Sequence, residues 1–401
     1  MTSEPLRWLD GLQGSGIRPG LSRMRALLRE LGNPERACPS IIVAGTNGKG
    51  STSSTLASIL NASGYRTGLY TSPHLVELRE RWMIGGSMIS SDMLDSAIEK
   101  LRASADRAGI VPTYFEALTL IAFIVFVSCD VMVLEVGMGG RLDATNVVRP
   151  LAALITPIGF DHTEYLGTTI RQIAGEKAGV IHRGAIVLTS NDDPRVLGVL
   201  RHRAAMFGNP FHVVTSTHPT PLAGDFQQRN AGLAVRAAEE LAPLLPQITV
   251  DSIERGVAMT QWRGRLERID RDGKTIWIDG GHNAHAIAAI VPFIIEHVPT
   301  PRLLVFGIMS DKNIADVTSA LFPLFDAIIA TEPYPPRSEA AARLVSLAPD
   351  RTIAEPDVRR AIERALASDY KSVVIAGSLY LAGAAIEFFS RGGAETRREE
   401  E

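Results

Sequence analysis

Short apolar runs rich in β-branched residues alternate with longer stretches of helical length. The runs 41–44, 131–135, 152–156 and 185–189 carry few charges, and each ends at a glycine, proline or polar break. That pattern predicts buried strands. The stretches 53–63, 91–108 and 114–127 have helical length and lie between them. Strands without polar alternation, separated by helices, predict a mostly parallel sheet covered on both faces.

Around Trp262-Arg263-Gly264-Arg265 the alternation breaks into a polar, arginine-rich connection, and a second series follows. Strands are predicted over 275–279, 303–307, 327–331 and 373–376, and helices over 284–297, 311–321, 338–347 and 356–368. The fold class is therefore α/β: an N-terminal domain with a mostly parallel sheet, and a smaller C-terminal Rossmann-like domain. The boundaries are 1–262 for the first domain, 263–272 for the connection and 273–401 for the second.

Composition narrows the class. At 401 residues, two domains are expected. With 45% apolar and 21% charged residues the chain is an ordinary globular protein. A net charge of −3 with no basic block gives no reason to expect nucleic acid. The two cysteines, Cys38 and Cys129, lie far apart and lack metal spacing, which suits a reducing cytoplasm. Residues 1–10 lack the basic and apolar regions of a signal peptide. The most apolar stretch, 117–127, is about half a membrane span and reads as a buried helix. No membrane partner is expected, nor is any oligomerisation motif visible, so a monomer is expected. The charged segment 391–401 reads as a frayed tail.

The most informative chemistry is Ile41-Ile42-Val43-Ala44-Gly45-Thr46-Asn47-Gly48-Lys49-Gly50-Ser51. A strand feeds a glycine turn with one lysine, and a Ser/Thr-rich helix follows. Backbone N–H groups at such a turn face an anion, and Lys49 adds a point charge. This points to a nucleotide triphosphate, and makes the N-terminal domain a P-loop-type ATPase domain in expectation. The match to G-x-x-x-x-G-K-[ST] is imperfect: Val43 stands at the first glycine, and Gly50 follows the lysine where Ser or Thr should stand. Ser51 is thus one place late for a magnesium ligand.

Other polar groups sit at predicted strand ends, where open α/β sheets bind ligands. Glu135 opens the run Glu135–Asn146 and suits magnesium, or else pairs with Arg141. Asp161-His162 follows the third strand, and His162 is either a metal ligand or a local hydrogen-bonder. Lys177 reads as a surface or phosphate-pairing lysine. Ser72, before Pro73, is a turn residue or part of a magnesium shell. In the second half, Asp279-Gly280-Gly281-His282-Asn283 and Gly377-Ser378-Leu379-Tyr380 end strands in the same way, with Asn283 a plausible helix cap. Half-sites at the strand ends of two domains imply a cleft between them, and Arg265 in the connection is placed to reach a phosphate.

Taken together, Gly20-Leu21-Ser22-Arg23, Leu31-Gly32-Asn33-Pro34, Ala44–Ser51, Tyr70–Leu75, Glu80-Arg81, Thr113–Glu116, Leu134–Asn146, Asp161–Lys177, Asp279–Asn283, Asp311-Lys312 and Gly377–Gly383 resemble one family over nearly the whole chain. It is the folylpolyglutamate and dihydrofolate synthases, within the Mur-ligase-like superfamily. The resemblance implies an ATP-dependent amide ligase. A dihydropteroate or folate carboxylate is phosphorylated by ATP, and the amine of L-glutamate displaces the phosphate.

It also implies residue roles. Thr46, Asn47, Gly48, Lys49, Gly50 and Ser51 bind ATP, together with Asn230, Arg265 and Asp279. Ser72, Glu135 and His162 hold Mg2+, with two magnesium sites expected. Lys177 matches a carbamylated lysine, and Lys49, Lys177 and His282 form the catalytic set. His282 and Ser378 contact glutamate. Gly281 stands where the family often has alanine, a small departure. A cell-wall precursor ligase of the same superfamily is the alternative, and the Gly45–Ser51 loop with Ser72-Pro73-His74-Leu75 argues against it. A nucleotide-dependent regulator is a further alternative, and it would leave the second domain's strand-end motifs without chemistry.

Overall fold

The computed structural model describes residues 3–16 and 18–396, which fall into two compact units. Residues 1 and 2, at the start of the stretch read as lacking a signal peptide, and 397–401, the end of the expected tail, lie outside the described residues. The helix Leu379–Thr396 includes 391–396, where no proline interrupts the preceding turns.

The first unit comprises, among the described residues, 3–16, 18–73, 79–221 and 227–261. Its strands are β1 (Ser40–Ala44), β2 (Thr67–Tyr70), β3 (Trp82–Ile84), β4 (Ser87–Met88), β5 (Val131–Glu135), β6 (Ala152–Ile155), β7 (Ile186–Thr189) and β8 (Phe211–Val213). They form one sheet in the order β4-β3-β2-β5-β1-β6-β7-β8. β2, β5, β1, β6, β7 and β8 run parallel, and β3 and β4 add an antiparallel edge. Every position of β1 and β5 is buried, which explains their unbroken apolar character. Each Ile, Val or Leu so placed contributes about 1.5–3 kcal/mol.

The chain leaves β1 toward β2, returns to β5 and then crosses to β6. That reversal puts a ligand-sized crevice at the carboxyl ends of β1 and its neighbours. The apolar stretch read as a buried helix is Tyr114–Val125, continued by a short 3-10 turn over Phe126–Ser128. No described helix is long and apolar enough to cross a membrane.

The second unit comprises, among the described residues, 74–78, 222–226 and 262–396. Its strands are β9 (Glu267–Arg271), β10 (Lys274–Ile278), β11 (Arg302–Phe306), β12 (Ala327–Ala330), β13 (Thr352–Ala354) and β14 (Ser372–Ala376), in the order β13-β12-β11-β14-β10-β9. All neighbours are parallel except β9 with β10. β9 falls inside 263–272, the span read as a connection. Its charged residues Glu267, Arg268, Asp270 and Arg271 hid it, because a solvated edge strand needs no apolar run.

Candidate active site

β1 ends at Ala44, and the turn 45–48 leads into the helix Lys49–Ala62. No side chain caps the helix start at Gly48, and the N–H groups of a helix's first turn are what an anion site uses. Gly48 has φ 86°, and a Cβ there would lie 2.4 Å from Asn230 Oδ1. Only glycine fits, which lets Asn230 lie directly against the turn. Asn230 Nδ2 donates to Gln227 Oε1 at 3.0 Å.

Lys49 Nζ donates to the Thr46 carbonyl at 2.9 Å. The Thr46 hydroxyl accepts from Gly159 N at 3.0 Å and lies 3.1 Å from the Gly159 carbonyl, so it ties the turn to the loop after β6. Asn47, Gly50 and Ser51 complete the turn and first helical residues, and Ser51 is buried.

The helix Ile170–Ala178 carries Lys177 into the same region. Lys177 is 4% exposed, and its ammonium donates to the Gly45 carbonyl at 2.6 Å. Burial, reinforced by the charge of Lys49, brings its pKa down to about 7, against the opposing pull of Asp161 and Asp143. Lys177 is thus no surface lysine.

Glu135 Oε2 accepts from Ser72 N at 2.9 Å, which brings the ends of β2 and β5 together. Arg141 pairs with Glu176 at 2.8 Å. His162 starts a short helix at φ 50°, with Nε2 4.0 Å from Asp161 Oδ1. Among the described residues no three His, Cys, Asp or Glu side chains gather as a metal cluster. A hydroxyl, a carboxylate and an imidazole still suit a magnesium whose remaining ligands are phosphate oxygens and water.

Beside these groups lies a cavity of about 410 Å³, lined by Pro19, Ser72, Phe115, Met138, Asp143, His162 and Tyr165 among others. Its floor is the glycine loop after β5. There the buried Asp143 accepts from Met138 N at 2.9 Å, Thr145 N at 3.0 Å and the Thr145 hydroxyl at 2.6 Å. Burial raises its pKa despite these donors.

In the second unit Asp279 is 2% exposed. Its two oxygens accept from Leu266 N at 3.0 Å and Gly281 N at 2.7 Å, and burial raises its pKa despite the charge of Arg265. This carboxylate is turned inward and holds the backbone that carries Arg265. His282 Nδ1 lies 2.8 Å from the Gly280 carbonyl. Asn283 caps the helix Ala284–His297 by accepting from Ala286 N. Ser378 is buried, and its hydroxyl accepts from Tyr380 N at 3.1 Å.

The residue-by-residue reading gave no role to Gln227, Phe115, Glu116 or Arg23. Gln227 is buried with its amide nitrogen unpartnered, and nothing in its local sequence marks that. Thr113 and Glu116 cap their helix reciprocally, a Thr-x-x-Glu signal visible in the sequence.

Two mostly parallel sheets, one ending in a lysine-containing phosphate turn, have the two-domain layout of a Mur-type ligase, and the comparisons with known families agree. The model for the Mur ligase middle domain matches residues 43–208, and that for the Mur ligase glutamate ligase domain matches 264–379. The chain belongs to the dihydrofolate synthase/folylpolyglutamate synthase family. It is 32% identical to the dihydrofolate synthase/folylpolyglutamate synthase of Bacillus subtilis, over 93% of this chain and 95% of that protein. It is 36% identical to a probable bifunctional folylpolyglutamate synthase/dihydropteroate synthase of Halobacterium salinarum, over 98% of this chain but only 52% of that longer protein. The structure of Mycobacterium tuberculosis folylpolyglutamate synthase complexed with ADP superposes with a TM-score of 0.87 at 32% identity, covering 96% of this chain and 97% of that one. This membership decides against the cell-wall ligase and the regulator.

Proposed function

We propose that this chain is an ATP-dependent amide ligase that joins L-glutamate to dihydropteroate, to the γ-carboxylate of folates, or to both, releasing ADP and phosphate. The observation that carries the reading is a short span of one helix that serves both places. Glu176 lines the cavity, and the next residue, Lys177, donates its ammonium to Gly45 of the phosphate turn. A substrate carboxylate in that cavity would sit beside the terminal phosphate of ATP.

A carboxylate is a poor acyl donor, and two anions repel. Lys49 and the N–H groups of 48–51 neutralise the phosphates. A carboxylate oxygen then attacks the γ-phosphorus, and ADP leaves. The glutamate nitrogen attacks the acyl carbon of the resulting acyl phosphate, loses a proton and expels phosphate. Asn230 and Arg265 contact the nucleotide. Asp279 acts through the backbone that carries Arg265, by accepting from Leu266 N. His282 is the group that meets glutamate, and Ser378 shapes the turn beside it.

Ser72, Glu135 and His162 are the residues that would hold magnesium, which when bound supplies charge neutralisation at the phosphates. A second magnesium would be held by Lys177 as its carbamate. Carbamate formation requires a neutral amine, and a pKa near 7 supplies one. We take the enzyme to be a cytoplasmic monomer. Burial pushes the Cys38 and Cys129 thiols up to about 12 and 11, so they stay protonated.

The test is ADP release with glutamate plus dihydropteroate, then with glutamate plus tetrahydrofolate. Glutamate-dependent release with either substrate is expected. Release that ignores glutamate would overturn the ligase reading.

A further inference from the structure

Two segments of the cavity wall, far apart in sequence, are joined by one side chain. Arg18, Pro19 and Gly20 form one segment, and Thr113, Phe115 and Glu116 form the other. Arg23 lies on the helix Ser22–Glu30 and is not itself in the lining. Its Nε stands 3.2 and 3.1 Å from the two oxygens of Glu116, and a terminal nitrogen stands 3.0 Å from Oε1. That same nitrogen donates to the Arg18 carbonyl at 2.6 Å. A planar guanidinium can serve a carboxylate and a carbonyl together, whereas an ammonium has no fixed fork.

The Arg18–Gly20 segment is lightly packed: Arg18 and Pro19 are exposed, and a Cβ on Gly20 would meet nothing within 4 Å. An exposed segment outside any helix or strand has entropy to lose on ordering, so its position depends on discrete bonds. The other segment is rigid, because Glu116 Oε2 also accepts from Thr113 N at 2.8 Å and the helix behind it is buried.

We infer that Arg23 is a positioning residue for the pteroate or folate substrate: it sets the width of the cavity by holding the Arg18–Gly20 wall against Glu116, and touches no reacting atom. This rests on assigning the cavity to that substrate.

The experiment is steady-state kinetics on Arg23→Gln, Arg23→Lys and Phe115→Ala, with thermal unfolding of each. Arg23→Gln is expected to raise KM for the pterin substrate on the order of tenfold, as for a displaced positioning group. KM for ATP and for glutamate should stay at the wild-type value. Arg23→Lys should recover only part of the loss and keeps the charge should the glutamine variant fold poorly. A wild-type pterin KM in Arg23→Lys, or an equal rise for all three substrates in Arg23→Gln, would overturn the assignment. If Phe115→Ala raises the pterin KM and Arg23→Gln does not, Arg23 has no such role although the cavity does. If neither variant moves it, the cavity assignment itself falls, and the role of Arg23 with it.

Discussion

Lys177 shows best how one residue joins stability to chemistry. Its folded pKa of about 7 lies below the ordinary lysine value of 10.5 because of burial. Below pH 7 both folded and unfolded chains carry the proton, and the folded one bears the whole cost of burying the charge. Between pH 7 and 10.5 the unfolded chain binds more protons, so stability rises with pH. In carbon-dioxide-free buffer, Lys177→Met should therefore be more stable than wild type at pH 6, with the gap closing toward pH 10; a gap independent of pH would contradict this. With 13C-bicarbonate, active enzyme should show a labelled carbamate on Lys177, and an unmodified lysine in active enzyme would remove that role. At Gly48 a left-handed φ and Asn230 act together. Gly48→Ala should cost about 1–2 kcal/mol in backbone strain alone. It should also raise KM for ATP by displacing Asn230, which kinetics and denaturant unfolding would measure separately.

At the scale of elements, the helix after the phosphate turn is held by unusually close packing. A Cβ on Gly256 would lie 2.3 Å from Ile59 Cα and 2.7 Å from Ile59 N. Ser58 Oγ also donates to the Gly256 carbonyl at 2.6 Å, and Ser63 and Ser252 hydroxyls meet at 2.7 Å. The helices Lys49–Ala62 and Val250–Ala258 thus touch backbone to backbone. Gly256→Ala should destabilise by about 1–3 kcal/mol, the usual cost of overpacking. Because the first helix begins at Lys49, ATP affinity should fall as well. Unchanged ATP binding in this variant would show that the helix start moves independently of its far end. Most elements were legible from pattern, since strands such as β5 are buried on both faces and read as apolar runs. The edge strands β4, β8, β9 and β13 and the three-residue β3 beside β4 were not, because short or charged strands owe their state to a neighbour's hydrogen bonds rather than to an apolar run.

At the scale of the molecule, each unit carries its own core. The first unit's is built on residues such as Ile41, Val133, Leu154 and Leu233, and the second unit has two clusters, one with Leu304, Phe306 and Val374 and one with Leu303, Val305 and Ile375. Separate cores predict more than one calorimetric transition, with a non-hydrolysable ATP analogue raising the transition of the first unit. A single transition that ignores the analogue would contradict both points. The strand-end motifs fell into two groups because the chain repeats one architecture. Every parallel strand there delivers its carboxyl end to the same edge of its sheet.

The sequence by itself determined the α/β class, the phosphate turn and the family, because these depend on local periodicity and on residues consecutive in the chain. Only the tertiary structure decided which side chains meet. It paired Arg141 with Glu176 rather than Glu135, buried Lys177 against Gly45, turned Asp279 inward and joined Arg23 to Glu116. Those outcomes depend on burial and on distances between segments up to 132 residues apart. Local sequence carries neither, since the cost of burying a charge is set by what folds over it.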